Sequence, residues 1–287
     1  MLEPEVKEMI RSILFAVDDD EALPGAVPVV AEYARRWGAA VRVVHVHQYV
    51  PDACNGADRR LVKSVTDRLQ AAGVFVEGEV RLLARHERVG AVLARTATQA
   101  AIDLVAVGSH GRSDLGALLH GSVDHDVAAA VDVPVLVLRC ASLTAAEPRT
   151  ILVAVDGSPA SDQAVIDAGD VAQAFGAEVV VLHARLVITA QSGAIVGPAG
   201  EAERVVRAAT AALEARGIRA TAETVTTHSV AGTVVAAAER VRADLVVLGS
   251  RRPSDLEGLL LGSTAHEVIH RLRCPVLLAR RARVRVP

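Results

Sequence analysis

The sequence predicts an α/β protein of two tandem repeats, each a five-stranded parallel sheet with helices on both faces. Three observations carry this. Nearly the whole chain repeats itself once. Within each repeat, short β-rich runs alternate with stretches of helical spacing. The composition, 51% apolar with only 2% aromatic residues, supplies the Val, Leu, Ile and Ala of strands buried on both faces.

The repeat is legible residue by residue. "SILFAVDDDEA" from Ser12 returns as "TILVAVDGSPA" from Thr150, 138 positions on. "GAAVRVVHVH" from Gly38 returns as "GAEVVVLHAR" from Gly176 at the same offset. "IDLVAVGSHGRSDLGALLHGS" returns as "ADLVVLGSRRPSDLEGLLLGS", and "VPVLVLR" as "CPVLLAR", with Gly108/Gly249 and Pro134/Pro275 both 141 apart. With 287 residues the chain holds two domains of ordinary size, divided at the small, polar stretch 140–149 into residues 1–145 and 146–287.

In the first repeat the expected strands are "ILFAV", "VRVVHV", "FVEGEV", "LVAV" and "PVLVL". Between them, "ADRRLVKSVTDRLQAAG" and "VLARTATQAA" have helical spacing. Gly38 and Gly73 sit where helix C-caps belong, just ahead of the next strand. Strand–helix alternation implies right-handed crossovers and a parallel sheet. Such sheets bind ligands beyond the carboxyl ends of their strands, where the strand order reverses.

One loop at that edge stands out. "GSHGRSDLGALLHGS", Gly108 to Ser122, follows the fourth strand and precedes a helix. Glycine lets a ligand approach the backbone closely, and successive amides in such a loop form an anion-binding concavity. Gly121 and Ser122 open the next helix, whose first amides are unpaired and lie at the positive end of the dipole. Glycine loop, helix start and hydroxyl together suit a phosphate, with Arg112 as a forked cation. The spacing Gly-x2-Gly-x9-Gly-Ser is neither a Walker A loop nor the GxGxxG dinucleotide fingerprint.

Two tandem α/β repeats, each with a first strand ending in Asp, together with this loop, resemble the universal stress protein family over essentially the whole chain. The resemblance implies a Rossmann-like fold of the adenine nucleotide alpha hydrolase-like type and an ATP site. It implies that Asp18, Val46, Val107 and Gly108 border the adenosine. His110, Gly111, Gly121, Ser122 and Val123 would hold ribose and phosphates, largely through backbone amides. The corresponding positions of the second repeat are Asp156, Gly249, Arg251, Gly262, Ser263 and Thr264. Bound ATP would bias the conformation of loop and helix, and so a partner or dimer interface.

The repeats depart from each other at the site. The first keeps every glycine, but Asp18 is followed by Asp19, Asp20 and Glu21. A run of like charge is usually hydrated, so this loop is read as facing solvent; facing phosphates, it would repel them or recruit Mg²⁺. The second repeat opens with the usual "VDGSPAS", yet Arg252 stands at the second glycine position and Pro253 biases it toward extended backbone. Either that site is lost or Arg251 and Arg252 supply cations in place of amides.

Other signals are weaker. His45 and His47 share a strand face, and H-x-H is a metal-binding pattern, with His120, Asp124, His125 and Asp126 nearby in sequence. His45 recurs as His183 without a second histidine, which favours strand-end histidines with local hydrogen bonds, and no metal is expected. Cys54, Cys140 and Cys274 are too far apart for a metal knuckle and odd in number for a disulfide framework. A formal net charge of −3 gives no drive toward nucleic acid or anionic membrane. No secretory signal precedes the first strand and no run nears the roughly 18 apolar residues of a membrane span, so a soluble cytoplasmic protein is expected. No catalytic constellation stands out, so any ATP turnover should be slow. The expectation is a nucleotide-binding regulatory module; the alternatives are a nucleotide-independent dimerising scaffold and, behind it, a slow ATPase. The last strands, Pro134–Leu138 and Pro275–Ala279, offer pairing edges, for a homodimer or for each other.

Overall fold

The computed structural model describes residues 10–18, 23–48, 56–109, 127–128, 130–139, 146–190, 193–196, 199–250 and 263–280. The first repeat runs β1 (Ser12–Val17), α1 (Leu23–Trp37), β2 (Ala40–Gln48), α2 (Gly56–Ala71), β3 (Val76–Leu83), α3 (Val89–Gln99), β4 (Leu104–Ser109) and β5 (Val135–Arg139). The second runs β6 (Thr150–Ala154), α4 (Pro159–Phe175), β7 (Glu178–Ala190), β8 (Gly193–Val196), α5 (Ala199–Glu214), β9 (Ala220–Thr227), α6 (Val230–Val241), β10 (Leu245–Gly249), α7 (Ser263–Arg271) and β11 (Val276–Ala279).

Within the first repeat the order is β3-β2-β1-β4-β5, all parallel. In the second, β9-β7-β6-β10-β11 form the matching parallel set. Gly38 and Gly73 end α1 and α2 with φ of +64° and +79°, where only glycine sits without strain. Each repeat fixes the start of its first strand in the same way. The Asp103 carboxylate accepts the Arg11 and Ser12 amides at 2.9 and 3.0 Å. Asp244 accepts those of Arg149 and Thr150 at 2.8 and 3.0 Å. These carboxylates lie just ahead of β4 and β10, so they set the register of the strand pairs that frame each carboxyl edge.

One strand departs from the expected five per repeat. β7 is long, and its end pairs antiparallel with β8, Val187 opposite Val196. "LVITA" and "GAIV" lie beyond the part of the repeat that has a counterpart in the first half, so internal comparison gave no sign of them.

The two sheets are one. β5 pairs antiparallel with β11, Val137 opposite Val276, Leu136 opposite Leu277 and Val135 opposite Leu278. Leu136 and Leu277 are 141 positions apart, so equivalent residues face each other and a local two-fold relates the repeats at this point. The two apolar clusters, one on each face of the sheet, both draw residues from both repeats. On one face α1, α2, α4 and α5 pack; on the other, α3, α6 and α7. Tyr33 of α1 bridges the junction, with its ring centroid 5.1 Å from Trp37 and 4.8 Å from Phe175 of α4. Arg36 lies over the Phe175 ring and pairs with Glu147 at 3.3 Å.

A shared core predicts coupled unfolding. Trp37, the chain's single tryptophan, reports on the first repeat. Truncating Leu277→Ala in the second repeat is expected to cost about 2–5 kcal/mol. It should lower the urea midpoint seen by Trp37 fluorescence as much as the one seen by circular dichroism. A Trp37 transition left unmoved would mean that the repeats unfold separately. Cys274, just before β11, gives a second check. Burial, with the Asp244 charge adding to it, pushes its thiol up to about 11. Its alkylation by iodoacetamide at mildly alkaline pH should run more than ten-fold slower in the folded chain than in urea, read by peptide mass spectrometry.

Candidate functional site at the carboxyl edge

The strand order reverses at β1, with β2 and β3 to one side and β4 and β5 to the other. Parallel registers carry the strand ends to one edge: Val17 lies opposite His45, and Ala16 opposite Val107. Asp18, exposed, is the residue next beyond β1. Val46 and Val107 share the α3 face with Ala16 and Val44. Gly108 is half-buried and pairs with Leu138. The structure therefore brings Asp18, Val46, Val107 and Gly108 to the edge where the loop from Gly108 departs. His110, Gly111, Arg112, Gly121, Ser122 and Val123 lie outside the described residues, as do Asp19, Asp20 and Glu21.

The second repeat repeats this edge with different local chemistry. Asp156 turns the chain after β6, its carboxylate accepting the Ser158 amide at 2.9 Å. Ser158 then caps α4, accepting the Ser161 amide at 3.2 Å, with Pro159 starting the helix. This helix start packs directly on the end of β10. A Cβ on Gly249 would lie 2.5 Å from the Ala160 carbonyl carbon, 2.6 Å from its oxygen and 2.8 Å from the Ser161 nitrogen. Gly249 is therefore required by backbone packing, whatever else it does. Ser263 opens α7 and is exposed; Thr264, next in the turn, is half-buried. Arg251, Arg252 and Gly262 lie outside the described residues.

The histidines sit on the opposite face of β2, toward α1 and α2. His45 Nδ1 lies 2.8 Å from the Val17 carbonyl oxygen, and His183 Nδ1 lies 2.8 Å from that of Val155, its counterpart. These are the local strand-end bonds expected of them. The second histidine adds something the sequence reading missed. His47 Nδ1 lies 2.7 Å from one Asp58 oxygen, and His45 Nε2 lies 3.4 Å from the other. Asp58 belongs to the first turn of α2, on a helix the sequence did predict. An acidic residue there reads as ordinary dipole complementation, and nothing in the spacing says that this turn lands beside β2. His120, Asp124, His125 and Asp126, the neighbours the sequence suggested, lie outside the described residues.

The Gly249 contact is testable without a ligand. Gly249→Ala forces backbone against backbone, so it should destabilise by about 1–3 kcal/mol in urea denaturation. Neutral stability would mean that the start of α4 can move off β10.

The profile of the Universal stress protein family matches residues 9–139 and again 147–280. A universal stress protein of Mycobacterium tuberculosis is 30% identical over 189 residues, which is 63% of this chain and 62% of that protein. In this match the chain spans about three fifths of that relative's length. One of Mycolicibacterium smegmatis is 28% identical over 260 residues, covering 88% of this chain and 85% of its own. Among solved structures, a universal stress protein of Archaeoglobus fulgidus superposes with a TM-score of 0.72, at 19% identity, over 95% of this chain and 97% of its own, a likeness of fold. With both repeats matched across the twofold sheet just described, the chain belongs to the universal stress protein family.

Proposed function

We propose that the chain is a regulatory module that binds one adenine nucleotide, ATP, alone or with Mg²⁺, at the carboxyl edge of its first repeat. The observation that carries this is the meeting of Asp18, Val46, Val107 and Gly108 at the strand-order reversal. The unbroken Gly-x2-Gly-x9-Gly-Ser sequence leaves from that point. Val46 and Val107 supply an apolar wall of the kind that takes a base, and Asp18 an acceptor for its polar groups. His110, Gly111, Arg112, Gly121, Ser122 and Val123 are assigned to ribose and phosphates, through amides and the Arg112 guanidinium.

The second repeat is assigned a lost or much weaker site. Of its two surviving motif glycines, Gly249 and Gly262, the first is accounted for by the contact with α4. Arg252 brings a Cβ to the position where the first repeat has Gly111. The last strands β5 and β11 pair with each other, so they are not the free edges by which a scaffold would assemble. Among the described residues, no helix is long and apolar enough to cross a membrane.

Denaturing the purified chain and counting released nucleotide tests the reading. About one adenine nucleotide per chain is expected, and none from Gly121→Val. Two per chain would mean that the arginine-bearing loop also binds. No release, together with no heat on titrating Mg-ATP, would overturn the proposal.

A further inference from the structure

Three side chains on the α2 face of β2 form an arrangement that hydrogen bonding within the protein leaves incomplete. The Val17 carbonyl can only accept, so the contact of 2.8 Å requires His45 Nδ1 to carry a hydrogen. The neutral ring then turns a lone pair at Nε2 toward an Asp58 oxygen 3.4 Å away. Two acceptors face each other there, and only a proton or a cation between them is favourable. His47 offers the third ligand atom, its Nδ1, 2.7 Å from the other Asp58 oxygen. Its Nε2, buried without a hydrogen-bond partner in the protein, is left as it is by an ion at Nδ1 and does not call for one.

We propose that His45, His47 and Asp58 bind a single divalent transition-metal ion of the zinc class. One ligand atom from each of the three lies within 4.8 Å of the others. Two imidazoles and one carboxylate form a nitrogen-rich set that suits zinc and its neighbours, whereas calcium and magnesium take oxygen. Ligands about 2.1 Å from a tetrahedral ion stand about 3.4 Å apart. The spacing of His45 Nε2 and the Asp58 oxygen, 3.4 Å, already matches. The His47 contact is to the other Asp58 oxygen, so an ion held by one oxygen requires the carboxylate or the His47 ring to turn. The Val17 carbonyl acts as the outer partner that fixes the His45 tautomer, a role metal-bound histidines usually have filled.

Three protein ligands leave a fourth position for water or an outside ligand. The ligand side chains are between 8% and 19% exposed, sheltered yet reachable. The second repeat lacks the set. His183 keeps its bond to Val155, but Arg185 stands where His47 does and donates to Thr226. Among the described residues this is the one such set, so one ion is proposed for them.

The test is calorimetric titration of Zn²⁺ into the chelator-treated full chain, with visible absorption of Co²⁺ as a second probe of coordination. One equivalent is expected. Binding should weaken at least about ten-fold in His47→Gln and in Asp58→Asn. His183→Gln and His270→Gln should leave it unchanged; His270 matters because it pairs with His266 on α7, ring centroids 4.5 Å apart, the other close histidine pair among the described residues. Melting by circular dichroism shows which variants keep the fold, and His47→Gln, the less intrusive change, decides if Asp58→Asn does not. No binding by the wild-type chain overturns the proposal. So does binding that survives in His47→Gln, or binding lost in His270→Gln. Nucleotide content does not enter these measurements, so the site stands or falls apart from the nucleotide reading.

Discussion

The antiparallel contact between β5 and β11 holds the two repeats in one sheet. A repeat folded alone would end in β5 or β11 with a row of unpaired amides and carbonyls, the kind of edge that recruits other strands. Here each last strand covers the other. Val135, Leu136 and Val137 meet Leu278, Leu277 and Val276, all buried. The pairing also draws the helices together, so that Tyr33 packs on Phe175 and Arg36 reaches Glu147 across the junction. Arg280, fully buried just past β11, donates to the Val131 carbonyl of the first repeat. A buried guanidinium is tolerated only where such acceptors are in place, so this bond depends on the strands having met in register.

Because that junction is built from equivalent residues, it constrains both repeats alike and leaves their carboxyl edges free to differ. The differences are concentrated there. In the second repeat Asp156, Ser158 and Pro159 build a tight, capped start to α4, which leans on Gly249. That close approach explains a glycine without a ligand. The first repeat puts Asp19, Asp20 and Glu21 after its first strand in place of the Gly157-Ser158-Pro159 turn. It keeps Gly111, where the second repeat has Arg252. One fold thus carries a glycine-bearing loop sequence at one edge and a sequence with two arginines at the other.

Much of this architecture was legible in the sequence because each repeat states it independently. Alternating aliphatic runs marked the strands of the first repeat, and Gly38 and Gly73 marked helix ends that the positive φ values confirm. The last strands could be named as pairing edges because an apolar strand at the end of a parallel sheet must be covered. What escaped has a common cause. The strand β8 has no counterpart among the described residues of the first repeat, and the repeated sequence segments do not extend over it. The Gly249 contact depends on how closely α4 approaches β10, a distance that periodicity does not encode. Asp58 joins His45 and His47 only because α2 returns over β2 with its first turn at the strand's end. Its partners are ten or more positions away in sequence, and an acid at a helix start has an ordinary explanation of its own.

The histidines show how duplication separates a structural role from a chemical one. His45 and His183 make the same bond, 2.8 Å to the carbonyl that ends the first strand of their repeat. That bond ties the second strand to the first and needs no further partner. At His183 the neighbouring position holds Arg185, which pairs with Thr226, and the ring remains a strand tie. At His45 the same bond fixes the tautomer and so aims a lone pair at Asp58, with His47 closing the third side. A conformation needed for the fold thereby becomes a preorganised ligand once two more side chains are added. Val17, whose carbonyl holds His45, is followed directly by Asp18. An ion bound to the His45 ring would polarise its Nδ1 hydrogen and strengthen the bond to that carbonyl. The ends of β1 and β2 are thus shared by the two faces of this edge.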